Sequence, residues 1–270
     1  MPFSTRTLGR TGLQVGALGL AASYGAGADA VEFAFDRGIN YFYWGSRRRP
    51  SFGEGLRRLA ARRDRYYLVI QTYSRIAALI PGSLERALRN LNTEYCDVLL
   101  LGLWGHAVPR RILAVCEHLK QRGRIRYIAF STHNRPVVPQ LAGDPAYDIF
   151  HVRYNAKHTG AEREIFPYLP AANRPGIVAF TATSWGQLLN AQRTPAGEQP
   201  LTSTDCYRFV LSNPAVDLCL SGPSTMEQTR DTVRALELGP LAPDEMIRIR
   251  RIGAHMYGRK SGVHAPVDIT

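Results

Sequence analysis

Residues 83–104 read SLERALRNLNTEYCDVLLLGLW, a stretch that contains one helix followed by one strand. Its first part places Leu84, Leu88 and Leu91 at helical spacing among polar residues, which predicts an amphipathic helix packed on a core. The last part, DVLLLGLW (97–104), is apolar along most of its length, as in parallel strands covered on both faces. This pair of elements predicts an α/β fold with a parallel sheet.

The same alternation of helix and buried strand recurs along the whole chain. Short β-branched and aromatic runs predict eight strands, at 14–22, 40–44, 66–73, 97–104, 125–132, 148–155, 176–183 and 216–222. Eight such units in about 250 residues favour a (β/α)8 barrel, and no G-x-G-x-x-G fingerprint supports an open doubly wound sheet. The predicted fold class is therefore α/β, a single (β/α)8 TIM barrel over 1–270, with 1–13 as a candidate N-terminal segment that caps the barrel.

The distribution of apolar residues argues against membrane association. No apolar run approaches the roughly 18 residues that a membrane span requires. The N-terminal MPFSTRTLGRTG also lacks the apolar centre of a signal peptide. We therefore expect a cytoplasmic protein that has no membrane partner.

Charge and cysteine usage narrow the partners further. The net charge of +12 comes almost wholly from arginine, because Lys120, Lys157 and Lys260 are the only lysines. The arginines are spread over helical stretches without a nucleic-acid-binding motif, so nucleic acid is not an expected partner. The four cysteines have no CxxC spacing, and no histidines or carboxylates have metal-ligand spacing, so no metal site is predicted.

Seven segments, in order along the chain, resemble one known family. They are TLGRTGLQVGALGLA (7–21), GINYF (38–42), SLERALRNLNTEYCDVLLL (83–101), KQRGRIRYIAFST (120–132), VRYN (152–155), IVAFTATSWGQLL (177–189) and LSGPSTMEQTRDTV (220–233). On these segments the chain resembles the aldo-keto reductase superfamily over nearly its whole length. The resemblance implies a (β/α)8 barrel of aldo-keto reductase type, and a family chemistry in which most members reduce carbonyl compounds with NADP.

The resemblance also implies a catalytic set that this chain lacks. The family has an Asp just after the second barrel strand, a Tyr five residues later, a Lys ending the third strand and a His ending the fourth. The corresponding residues here are Tyr43, Arg48, Tyr73 and Gly102. No Asp or Tyr lies in the loop at 45–53, so a shifted alignment does not recover the set. The standard proton transfer is therefore not expected.

At the positions where the resemblance implies cofactor contacts, some residues match the family and others are replaced. Ser131 and Phe180 match residues that contact the nicotinamide, whereas Thr132 replaces the usual Asn and Arg153 replaces a Gln. After the eighth strand, phosphate contacts are expected from Ser221, Gly222 and Ser224, the last with Glu227 as a capping box at a helix start. The family's basic residue for the 2′-phosphate corresponds to Gln228. NADP, NAD and no nicotinamide cofactor therefore all remain open.

The replaced residues suggest a different site. The family has a phenol in the loop after the second strand and a cation at the end of the third, whereas this chain has Arg48 and Tyr73 at those positions. The two groups are thus exchanged, and Tyr73 could act as acid or base beside Arg48. Because Gly102 has no side chain, a pocket could open there for an anionic small molecule held by Arg48, with Arg153 as a second cation. Tyr43 and His106 are further candidates for proton transfer.

Two functions consequently stay open. One is a pocket protein, or an enzyme of another reaction class, that acts on an anionic ligand. The other is an atypical NAD(P)H-dependent oxidoreductase that reduces a carbonyl compound with a substitute proton donor.

Overall fold

The computed structural model describes residues 2–45 and 47–258. A hairpin of β1 (Arg6–Thr7) and β2 (Gln14–Val15) precedes eight parallel strands that close into a barrel. The barrel strands are β3 (Leu18–Ala21), β4 (Tyr41–Trp44), β5 (Tyr67–Thr72), β6 (Cys96–Leu101), β7 (Ile125–Thr132), β8 (Ile149–Arg153), β9 (Gly176–Phe180) and β10 (Leu218–Ser221). Each barrel strand pairs with the next along the chain, and β10 closes the ring on β3. The predicted α/β barrel is confirmed.

Helices connect the strands and surround the barrel. They are α1 (Ala28–Asp36), α2 (Pro50–Arg58), α3 (Leu79–Leu91), α4 (Arg110–Gln121), α5 (Val137–Leu141), α6 (Ala161–Glu164), α7 (Ser203–Leu211), α8 (Met226–Leu238) and α9 (Pro243–Gly258). Short 3-10 turns fill several of the remaining connections. Within the described residues, no helix is long and apolar enough to cross a membrane.

The core has two layers because successive residues of a strand face opposite sides. In β4, Tyr41 and Tyr43 belong to the cluster inside the barrel, whereas Phe42 and Trp44 belong to the cluster between strands and helices. Both sides are buried, which explains why the strands read as continuous apolar runs.

The N-terminal hairpin packs against the end of the barrel where the strands begin. Leu8, Leu13 and Val15 are buried with the interior side chains of the barrel. The approach is close at Gly9, where φ is +45° and an added Cβ would lie 2.6 Å from Cα of Gly176. Only glycine fits such a conformation and such a contact.

Three buried aspartates hold the strands together at the same end. Asp97 is the second residue of β6, and Asp148 and Asp217 lie just before β8 and β10. Each carboxylate accepts a backbone N–H from a neighbouring strand: Asp97 from Leu68, Asp148 from Ile128, and Asp217 from Ile177. Each carboxylate also pairs with a cation: Asp97 with Arg63 and Arg126, Asp148 with Lys120, and Asp217 with Arg174. The three buried carboxylates at this end are thus neutralised within the chain.

Candidate active site at the barrel mouth

The opposite end of the barrel, where the strands finish, forms a mouth. Tyr43, Tyr73, Gly102 and Ser131 lie at the ends of four consecutive strands, as predicted. The ladder continues past β5 and β6, because the N–H of Gly102 donates to the carbonyl of Thr72 at 2.9 Å. The sequence therefore places these residues around one opening.

The opening expected above Gly102 is not present. A Cβ added to Gly102 would meet Nε2 of Gln71 and would lie 2.8 Å from Cε1 of Tyr73, so these two side chains occupy the space. Gln71 is buried, and its Oε1 accepts a hydrogen bond from the hydroxyl of Tyr43. The prediction of a pocket at Gly102 is wrong because polar and aromatic groups of β5 fill it. Sequence reasoning missed Gln71, although it lies two residues before Tyr73 and so faces the same side of the strand, towards the inside of the barrel.

Arg48 and Tyr73 do not form the predicted pair in the described part of the chain. The guanidinium of Arg48 donates to the backbone carbonyl of Gln71 at 3.1 Å and lies 5.7 Å from the ring of Trp44. Strand β4 ends at Trp44, opposite Ile70, so the carbonyl of Gln71 accepts from a side chain there. Tyr73 is 44% exposed over Gly102. Burial lowers the pKa of Arg48.

A second arginine on this side of the mouth is also bound to the backbone. Arg75 donates to the carbonyls of Gly102 and Leu103 at 3.1 and 2.7 Å, and its guanidinium lies 3.9 Å from the ring of Trp104. Both Arg48 and Arg75 thus stabilise loop ends, which leaves neither as an obvious ligand-binding cation.

His106 lies outside this opening. Its ring packs edge-on against Trp104 at 5.5 Å, and Nδ1 lies 2.8 Å from the carbonyl oxygen of Ala107. Trp104 belongs to the cluster between the strands and the helices. The loop after β6 runs outward over the helical layer. His106 is therefore not brought next to Tyr43, the other candidate for proton transfer, by the contacts of the described residues.

The hydroxyls expected to meet a nicotinamide are engaged within the chain. Oγ of Ser131 accepts the backbone N–H of Leu103 at 2.9 Å. Oγ1 of Thr132 accepts the N–H of Asn134 at 2.8 Å, and alternation along β7 turns this side chain away from the interior. Thr132 is therefore a local turn residue in this structure rather than a residue of the mouth.

Phe180 and Arg153 face the mouth from adjacent strands. Their Cα atoms are paired in the ladder between β8 and β9. The ring of His133 meets that of Phe180 at 5.6 Å with an interplanar angle of 62°. Nε of Arg153 is buried and has no hydrogen-bond partner within the described residues. Partial burial and the charge of Arg153 lower the pKa of His133.

Two further cations, which sequence reasoning missed, meet at Gln187, and one of them, Lys157, is near enough to Arg153 to be affected by its charge. Lys157 is only 7% exposed, and its amine donates to Oε1 of Gln187 at 2.7 Å. Arg193 donates to the same oxygen at 3.4 Å. Burial, Arg193 and Arg153 lower the pKa of Lys157. We call Arg153, Lys157 and Arg193 the cationic cluster. The sequence signal for this cluster was Lys157, one of only three lysines in the chain, which lies shortly after a barrel strand.

The loop that carries Gln187 is conformationally strained. Thr181, Ser184 and Trp185 have φ values of 58°, 51° and 54°, in the left-handed region that such residues seldom adopt. Trp185 is exposed, and the buried hydroxyl of Ser184 has no partner among the described residues. Strain of this kind concentrates at functional sites.

The expected phosphate loop is occupied by the chain itself. The hydroxyl of Ser221 donates to the carbonyl of Gly19 at 2.7 Å. A Cβ added to Gly222 would lie 2.7 Å from Cε2 of Tyr24, so the ring of Tyr24 covers this glycine. The N–H of Ser224 donates to Oε1 of Gln228 at 2.7 Å. Gln228 thus occupies the helix start that a phosphate would use.

The predicted capping box at this helix is wrong in its register. Thr225, not Ser224, is the N-cap of α8, and its hydroxyl accepts the N–H of Gln228 at 3.2 Å. The extended backbone of Thr225 lets the helix begin one residue later than predicted.

As folded, these residues do not fit a nicotinamide dinucleotide in the position that the family resemblance implies. The phosphate contacts are taken by Gly19, Tyr24 and Gln228. Residues 2–45 and 47–258 contain no group of three or more histidine, cysteine or carboxylate residues placed to hold a metal ion.

Comparisons with known proteins agree with the architecture. Residues 20–205 match the model of the aldo/keto reductase family. L-galactose dehydrogenase of Arabidopsis thaliana is 25% identical over 89% of this chain and 90% of its own length.

Two solved structures show the same fold. The holo form of an aldo-keto reductase from Bacillus halodurans superposes with a TM-score of 0.74 and 22% identity, covering 93% of this chain and 96% of that one. An aldo/keto reductase from Klebsiella pneumoniae in complex with NADP and acetate gives a TM-score of 0.75 at 19% identity, with the same coverage. Because the family model matches more than half of the chain, this protein belongs to the aldo/keto reductase family.

Proposed function

We propose that this protein binds an anionic small molecule in the mouth of its barrel and does not reduce carbonyl compounds by the usual route of its family. The observation that carries the proposal is Arg153, whose buried Nε lacks a partner among the described residues at the end of the barrel where such folds place chemistry. A buried charge needs a counter-charge, and a guanidinium fork matches a carboxylate or a phosphate.

The second part of the proposal follows from the groups near Gly102. In the family chemistry a lysine assists a tyrosine, whereas here Gln71 holds the hydroxyl of Tyr43 and Tyr73 stands at the lysine position. Arg48, the nearest cation by sequence, donates to a backbone carbonyl. This arrangement supplies no lysine–tyrosine pair for donating a proton to a substrate carbonyl.

An atypical NAD(P)H-dependent oxidoreductase remains the second candidate. It is favoured by the relatives, which include a dehydrogenase and structures that hold NADP or NADPH. It requires Tyr24 and Gln228 to leave the phosphate loop, with Tyr73 or Tyr43 as the substitute proton donor.

A titration with NADPH and NADH, followed by nicotinamide fluorescence, separates the two candidates. We expect no saturable change in fluorescence, and no loss of NADPH absorbance when nitrobenzaldehyde is added. Tyr24→Ala combined with Gln228→Arg should bind NADPH more tightly than the wild type, whereas Tyr168→Ala, an exposed tyrosine after α6, should not. Saturable binding and turnover by the wild type would instead establish the oxidoreductase.

A further inference from the structure

The described residues around the cationic cluster do not neutralise its charges. Oε1 of Gln187 accepts from both Lys157 and Arg193, but an amide oxygen is neutral and cannot offset two charges. Arg153 has no carboxylate partner within residues 2–45 and 47–258. Lysine is rarely buried to this degree unless it is paired.

The carboxylates of the neighbouring elements are engaged with other cations. In α6, Glu164 pairs with Arg135 at 2.9 Å, and Glu162 pairs with Arg250 at 2.8 Å. Glu198, in the loop that follows Arg193, pairs with Arg248 and Arg251. These acids are consequently not available to the cluster without breaking an existing pair.

Other charged and titratable groups face the cluster. Arg135 lies close enough to lower the pKa of Arg153, after the larger effect of burial. His133 also faces this side of the mouth, against Phe180. Tyr257 of α9 also lies near Arg153 and acts in the opposite direction, because it favours the charged form of Arg153 and so raises its pKa.

We infer that the cationic cluster is the binding site for a small molecule with at least two negative charges, such as a dicarboxylate or a phosphate monoester. The inference rests on the proposed function and adds the ligand class to it. Three cations beside one neutral acceptor would remain largely uncompensated by a monocarboxylate, whereas a dianion can contact Arg153 through one group and Lys157 and Arg193 through the other.

The site lies two to three strands further round the ring than Gly102, which follows β6. It is formed by β8, by the loop after β8 and by the strained loop after β9. Phe180 and the exposed Trp185 offer apolar surface beside it, which would suit the carbon skeleton of such a ligand.

Calorimetric and thermal-shift titrations at constant ionic strength test the inference, with succinate and glycerol phosphate as probes and acetate as the monovalent comparison. We expect saturable binding of a dianion, at least tenfold weaker in Arg153→Met and in Lys157→Met. Arg193→Met provides a third variant should either of these fold poorly, as judged by circular dichroism. Arg89→Met, which removes an exposed arginine of α3, should bind as the wild type does.

The outcomes separate this inference from the proposed function. Dianion binding that is unchanged in all three cluster variants, or no tighter than acetate binding, would overturn the inference and leave the proposed function standing. Absence of binding by either probe would also overturn it. Saturable NADPH binding with turnover would overturn the proposed function itself.

Discussion

The two ends of this barrel handle charge in opposite ways. At the end where the strands begin, Asp97, Asp148 and Asp217 are buried, and each has both a cationic partner and a backbone N–H. At the mouth, Lys157 is equally buried, but its described hydrogen bond is to a neutral amide. Completed pairs hold a fold together, whereas an uncompensated charge favours a ligand, so under the proposed function the difference separates the stabilising end from the ligand-binding end.

The largest effect is expected from breaking a pair at the strand-starting end. Asp97→Ala would leave Arg63 and the N–H of Leu68 without their partner, which should lower the free energy of unfolding by about 3–5 kcal/mol. Urea denaturation at neutral pH measures the change. Asp64→Ala, which alters an exposed aspartate, is the control. A loss below about 1 kcal/mol would contradict a stabilising role for this end.

A histidine in the barrel interior, between the two ends, should make the free energy of unfolding depend on pH. Burial lowers the pKa of His151 to about 3, and its Nε2 lies 3.1 Å from the hydroxyl of Tyr41. As the pH falls from the ordinary histidine value of 6.5 towards 3, the unfolded chain gains a proton that the folded chain does not. Stability should therefore decrease by about 1.4 kcal/mol per pH unit from this group alone.

His151→Gln keeps a hydrogen-bonding group for Tyr41 and removes the titration. Denaturation curves measured between pH 6.5 and 4 should show a smaller pH dependence for this variant than for the wild type. Identical slopes would mean that His151 takes up its proton in the folded barrel as readily as in the unfolded chain, which would contradict a lowered pKa.

On the crowded side of the mouth, Gly102→Ala should be moderately destabilising. The added methyl group would press on Gln71 and Tyr73, at a cost of about 1–3 kcal/mol. Gly105→Ala is a matched control, because a Cβ there meets nothing within 4 Å. Combining Gly102→Ala with Gln71→Ala should recover part of the loss, and strict additivity of the two changes would contradict the contact.

The smallest effect on stability is expected from the cationic cluster. Lys157→Met removes repulsion from Arg153 and Arg193 while keeping an apolar stem, so the free energy of unfolding should change by no more than about 1 kcal/mol, or should rise. Added salt should stabilise the wild type more than the variant, because it screens this repulsion. A loss above about 2 kcal/mol would give Lys157 a structural role and weaken the contrast between the ends.

The sequence predicts the fold well because strand periodicity and helix spacing are local signals. It places Tyr43, Tyr73, Gly102 and Ser131 at one mouth for the same reason, since each follows a recognisable strand. It does not predict the path of loops or the choice of side-chain partners.

Those partners decide the site. Whether Arg48 faces a ligand or a backbone carbonyl depends on where β4 ends relative to β5, which no spacing rule specifies. The positions of Lys157 and Gln187 depend on left-handed residues such as Thr181 and Ser184, which sequence patterns do not reveal.

The most direct test of this account is a crystal structure of the wild-type protein grown with saturating glycerol phosphate, with a parallel crystal grown with NADPH. We predict electron density for the phosphate within hydrogen-bonding distance of Arg153 and Lys157, and no dinucleotide along Gly222 and Ser224. Density for NADPH at the start of α8, with Tyr24 and Gln228 displaced and the cationic cluster unliganded, would contradict the central claim.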